Sequence, residues 1–179
     1  MAAYKVNCPV CKTWKRNTNK RELDKGIGAC MCNSIKYDKH KKVVVDEALC
    51  VPLTPTEEIT FTISGPPKVK KNSQRIVMGG IRPSIAYELW AGQAMFQIDK
   101  MMKKLNRAPI NGRVEMEAHY YRNTRVRADL SNLHEGIQDC LSNMGFWIDD
   151  SIIESHDGSR KFYDKENPRI EVTIRIYNE

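Results

Sequence analysis

Between residues 129 and 150 the chain carries five carboxylates: Asp129, Glu135, Asp139, Asp149 and Asp150. Asn132, Glu135 and Asp139 are spaced by three and four residues, so on a helix they project from one face, with Asp129 at its start. Asp149-Asp150 follows the short stretch Gly145-Phe146-Trp147-Ile148, and a chain reversal there is expected to return them beside the helix start. Carboxylates gathered this way repel one another unless a cation binds them, and oxygen ligands suit Mg²⁺ or Mn²⁺. A metal held so polarises a phosphoryl oxygen and lowers the pKa of a bound water, which is the chemistry of phosphodiester hydrolysis. Taken singly, each residue has an ordinary role: Asp129 an N-cap, Glu135 and Asp139 solvated helix positions, Asp149-Asp150 a turn.

A second group is made of sulfur. Cys8-x₂-Cys11 and Cys30-x-Cys32 are separated by 18 residues, and four thiolates can hold Zn²⁺ tetrahedrally, with His40 a possible substitute for one. Lys5, Lys12, Trp14, Lys15, Arg16, Lys20 and Arg21 surround this group. Cys50 and Cys140 stand alone and read as packing residues. His40, His119, His134 and His156 form no ligand or triad pattern, although His119 and His134 are candidates to lie near the carboxylates.

Excess positive charge attracts polyanions, although on charge alone a solvated, Lys-rich surface is the ordinary reading. The net charge is +7, and residues 1–50 hold 11 Lys/Arg against 5 Asp/Glu. Lys68, Lys70, Lys71, Asn72 and Arg75 follow Gly65-Pro66-Pro67, and Arg122, Arg125 and Arg127 precede Asp129. Such groups hold a phosphate backbone beside an acidic site, although Lys-rich loops also simply solubilise. No apolar stretch is long enough for a membrane span, so a soluble, cytoplasmic protein is expected.

These residues need elements to hold them. Residues 1–50 lack a sustained apolar period and read as a small basic module that a zinc ion would staple. Residues 51–56 read as a Pro-containing linker, and residues 57–179 as one α+β domain. In the domain Ile59, Phe61 and Ile63 alternate as a strand. Tyr87, Trp90, Ala91, Ala94, Ile98, Met101, Met102 and Leu105 give a helix over 84–106, with a loop before it. Val114, Met116, Ala118 and Tyr120 form a second strand, and Leu130, Leu133, Ile137, Leu141 and Met144 a second helix. Ser151–Phe162 and Arg169–Tyr177 read as two closing strands. The expected order is strand, helix, strand, helix, strand, strand.

The run Arg127-Ala128-Asp129-Leu130-Ser131-Asn132-Leu133, then Asp139-Cys140-Leu141, then Gly145-Phe146-Trp147-Ile148-Asp149-Asp150, resembles the RusA-like Holliday-junction resolvases. Their pattern is Asp-x-Asp-Asn-Leu at a helix start, Asp-x-Leu later, then an apolar turn ending in Asp-Asp. Pro66-Pro67 with Lys70-Lys71-Asn72-Ser73 resembles their early Pro-Pro-x-x-Asn loop. The resemblance implies a homodimer that cuts four-way DNA junctions with Mg²⁺ or Mn²⁺. It makes Asp129 and Asp150 metal ligands, sets Asp149 beside the metal, and suits a phage or prophage setting. The chain departs from the pattern twice. Ser131 replaces the second Asp, and Glu135 stands where a catalytic Lys is often found. One helical turn separates them, which places Glu135 to supply the carboxylate that Ser131 lacks. The alternative is a protein that binds junctions or single strands without cutting them.

Overall fold

A computed structural model describes residues 50–70, 74–78 and 80–178, together with the backbone of four short strands nearer the N-terminus. Those strands form two antiparallel pairs, β1 (Lys5–Asn7) with β2 (Trp14–Arg16) and β3 (Ile35–Tyr37) with β4 (Val43–Val45). Cys8, Cys11, Cys30, Cys32 and His40 lie outside the described residues.

The larger sheet is built from β5 (Glu58–Ser64), β8 (Val114–Arg122), β10 (Arg160–Tyr163) and β11 (Arg169–Ile176), in the order β10-β8-β11-β5. A short β9 (Ile153–Ser155) also pairs with β8. β11 runs antiparallel to both neighbours, whereas β9 and β10 run parallel to β8. Register explains the core. Ile63 pairs with Ile170 and Ile170 with Tyr120; Ile59 pairs with Ile174 and Ile174 with Met116. All six side chains therefore point to one face, and all six are buried.

Two helices cover that face. α1 (Ile85–Leu105) lays Tyr87, Trp90, Ala91, Ala94 and Ile98 on it. Ser84 Oγ accepts a hydrogen bond from the Tyr87 amide at 3.1 Å, and Asn106 closes the helix in the left-handed region at φ 55°. α2 (Leu130–Asn143) buries Leu133, Gly136, Ile137, Cys140 and Leu141. The chain then reverses at Gly145, whose φ of 69° favours glycine. Trp147 is fully buried and its indole N–H donates to Ser142 Oγ at 2.7 Å. Ile110 is paired with the same turn: its amide donates to Phe146 O at 3.1 Å and its carbonyl accepts from the Ile148 amide at 2.9 Å.

An α+β domain with these two helices is as expected, but two segments differ in detail. The loop after β5 contains a hairpin, β6 (Arg75–Val77) with β7 (Gly80–Arg82), whose side chains are mostly solvent-exposed and so show no alternation. Residues 151–162 are not one strand. A 3-10 turn (Asp150–Ile152) leads into β9, and Gly158 at φ 80° breaks the chain before β10. The Pro-containing stretch after residue 50 is packed on the domain: Leu53 is buried in the core and the Val51 amide donates to Pro109 O at 2.8 Å.

One polar pair lies inside the core. His134 Nδ1 and Tyr120 Oη are 2.9 Å apart, and the His134 ring stacks on His156 at 4.2 Å. Burial, and then the neighbouring His156, push the His134 pKa from 6.5 down to about 4. The folded protein thus keeps His134 neutral over a range where the unfolded chain binds a proton. Stability should fall as pH drops from 6.5 towards 4, by up to about 3 kcal/mol from this residue. Thermal unfolding across that window should show a steeper slope for the natural protein than for His134→Asn.

Candidate active site

The polar stripe of α2 is anchored at one end by Asp129, the helix N-cap residue. Its side chain makes no capping bond to the helix amides; it accepts from Asn132 Nδ2 at 3.4 Å. Further along lie Glu135 and Asp139, each about one-third exposed, and between them sits the ammonium of Lys70. Lys70 Nζ is 2.5 Å from Asp139 Oδ2 and 4.0 Å from Glu135 Oε1.

Lys70 reaches this position because its loop is docked on the helix. Gly65 donates its amide to Pro168 O at 2.8 Å, Pro67 is buried, and Val69 packs against the core. Gly136 faces the loop: a Cβ there would lie 3.3 Å from Lys68 O and 3.5 Å from the rings of Trp90 and Tyr87. A glycine inside a helix costs about 1 kcal/mol relative to alanine, and here it lets a second backbone approach.

A cavity of about 270 Å³ opens beside this contact. Lys70, Asp139, Ser142, Asn143, Asp149 and Asp150 line its polar side, and Tyr87, Ala91 and Met95 of α1 line the other. The buried turn through Trp147 delivers the two aspartates. Asp149 Oδ1 accepts from the Ser151 amide at 3.0 Å and so starts the 3-10 turn that Asp150 enters. Two weak acids in the wall stay protonated. Burial first, then Asp139, pushes the Cys140 thiol up to about 12, and burial raises Tyr87 further still, helped by Cys140, Asp139 and Glu135.

The predicted residues therefore divide. Asp139, Asp149 and Asp150 share one cavity, and Glu135 joins them through Lys70. Asp129 does not line it. Ten residues of helix separate Asp129 from Asp139, a rise of about 15 Å. The reversal after α2 returns Asp149 and Asp150 beside the last turns of the helix, not its start, because the turn is too short to run back along it. His119 lies near Glu117 and Phe162 on the outer sheet face, and His134 is in the core, so neither faces the cavity.

The basic residues also divide. Lys70 enters the cavity, whereas Arg75 is held by Glu88 at 2.6 Å and by Pro83 O at 3.1 Å. Arg125 stacks over Tyr163 at 4.6 Å and Arg127 is exposed, both near the Asp129 end. Lys71 and Asn72 lie outside the described residues.

Whether these groups suit a metal ion is answered partly by Lys70. The donors are hard oxygens, and the cluster already binds one cation, an ammonium. Among the described residues no three carboxylate, imidazole or thiol groups converge closely enough to enclose an ion. The donor oxygens are of the type a divalent cation takes, but their present spacing does not enclose one, and Lys70 offsets part of their charge.

A protein-family model described as Endodeoxyribonuclease RusA matches residues 63–175. No curated protein matches the chain. Among the described residues no helix is long and apolar enough to cross a membrane.

The Gly136 contact yields a test. Gly136→Val should displace the 65–70 loop, lower stability by about 1–3 kcal/mol and speed hydrogen exchange in that loop. Unfolding curves and exchange mass spectrometry of the two proteins measure both effects.

Proposed function

Because the chain belongs to the RusA endodeoxyribonuclease family, we propose that it is a divalent-metal-dependent endonuclease that cuts four-way DNA junctions. The observation that carries this reading is the meeting of Asp139, Asp149 and Asp150 at one cavity inside the matched region. In this reading those carboxylates, with Glu135 beside them, hold Mg²⁺ or Mn²⁺. When bound, the ion polarises a phosphoryl oxygen and supplies a water of lowered pKa. The protein's own groups position the DNA. Lys68, Lys70, Arg75, Arg125 and Arg127, with Lys71 and Asn72 of the same loop, contact phosphates and so read junction shape more than sequence. Glu135 supplies the negative charge that Ser131 does not. Asp129 heads the same polar stripe at the other end of α2, and we assign it as a second acidic position outside the cavity.

A homodimer fits junction symmetry, since two sites then nick opposed strands. Ile85, Leu89 and Phe96 leave an exposed apolar stripe on α1, and Ile76, Met78 and Ile81 expose three more apolar side chains on the nearby hairpin. Patches of this kind commonly mark protein interfaces.

We further propose that residues 1–50 form a separate basic module in which Cys8, Cys11, Cys30 and Cys32 bind a structural zinc. The β1–β2 pair brackets residues 8–13, the segment that holds the first two cysteines.

A labelled four-way junction incubated with Mg²⁺ or Mn²⁺ should show paired nicks in opposed strands. Asp139→Asn and Asp150→Asn should each lower that rate by about 10²–10³ while the junction still binds. Asp129→Asn separates two arrangements: equal loss makes the stripe one unit, and near-normal cleavage confines the chemistry to the cavity. A shifted but uncut junction with the natural protein would favour the binding-only alternative. Elemental analysis should find about one zinc per chain, lost in Cys8→Ser; zinc-free natural protein would remove the module.

A further inference from the structure

Lys70 is a cation that the structure places on Asp139 and Glu135, and it arrives there by construction. Its loop is fixed at Gly65, Pro67, Val69 and the Lys68–Gly136 contact, so the side chain has a short reach to Asp139. Its side chain is about one-third exposed, as are those of Asp139 and Glu135. An ammonium in that setting exchanges with solvent cations more readily than a buried one, yet it satisfies the same oxygens that a hard metal ion needs.

We propose that Lys70 is a displaceable internal counter-ion. It pairs with Asp139 and offsets part of the charge of Glu135 in the metal-free protein, and a divalent cation competes with it for those oxygens. This rests on the metal-binding reading above. An ammonium and a divalent ion that both contact Asp139 Oδ2 repel one another, and at the modest effective dielectric of a half-buried site this makes their binding competitive. The released ammonium stays on a docked loop at the cavity edge, where a DNA phosphate offers it a new anionic partner. Phosphate and metal therefore cooperate: a phosphate that draws Lys70 away leaves Asp139 open to the ion, and by linkage an ion at Asp139 frees Lys70 for phosphate.

The test reads metal affinity without cleavage. Mn²⁺ binding to the full chain, followed through the electron paramagnetic resonance signal of free Mn²⁺ in the absence of DNA, is compared for the natural protein, Lys70→Met, Lys70→Arg and Lys70→Met/Asp139→Asn. Lys70→Met should bind Mn²⁺ about tenfold more tightly or better, within the range of coupling between interacting sites. Lys70→Arg should resemble the natural protein, and the double variant should lose the gain, which ties it to the cavity and not to the cysteines. Circular dichroism confirms that each variant is folded. Adding a nucleic-acid phosphate, as an uncleavable phosphorothioate junction, should tighten Mn²⁺ binding to the natural protein but much less to Lys70→Met. Unchanged or weaker binding by Lys70→Met, with measurable binding by the natural protein, overturns the counter-ion role and leaves the nuclease reading intact. Absence of binding by either protein overturns both.

Discussion

The approach of two backbones at Gly136 governs the geometry of the acidic cavity. Lys68 presents its carbonyl to the helix at a point where any side chain would meet it, and that distance decides how far the next two residues can extend. With the loop seated, Lys70 falls between Glu135 and Asp139; with the loop lifted, two carboxylates and a lysine would face water separately. The interaction is mostly steric, so it is insensitive to salt. The ion pair it supports is half-exposed and therefore screened, which makes it a poor source of stability and a ready partner for exchange.

Much of the domain was legible because its elements obey simple periods. Ile59, Phe61 and Ile63 alternate, and α1 and α2 repeat their apolar residues at three and four, since each buries one face. The hairpin at 75–82 was not legible, because a pair of strands lying in solvent has no face to hide and so no pattern to read. The break at Gly158 was equally hidden within a run of mixed residues. A spacing of three and four puts Glu135 and Asp139 on one face of α2, but how far along the helix the following turn returns depends on where Trp147 finds its pocket. That is a tertiary fact, and it moved Asp149 and Asp150 towards Asp139 and away from Asp129. The Lys70 contact joins residues 69 positions apart, and no local period reports it.

The departures from the family pattern become more coherent in this arrangement. Glu135 reverses a charge on the helix, and Lys70 brings a positive one to it from another element. Net charge at the stripe is thus spread across a loop and a helix, not carried by the helix alone. The protonated Tyr87 of α1 and Cys140 of α2 add no charge of their own to the cavity wall.

The turn from Gly145 to Ile148 works as a ruler. Its middle is locked to Ile110 by two backbone bonds, its indole is sunk in the core, and its start is fixed by a left-handed glycine. Adding or removing one residue would swing Trp147 out of its pocket or drag the aspartates off the cavity rim. A change of length is therefore better accommodated elsewhere, in the solvent hairpin at 75–82 or the bend around Gly158, while the distance from helix end to Asp149 stays quantised.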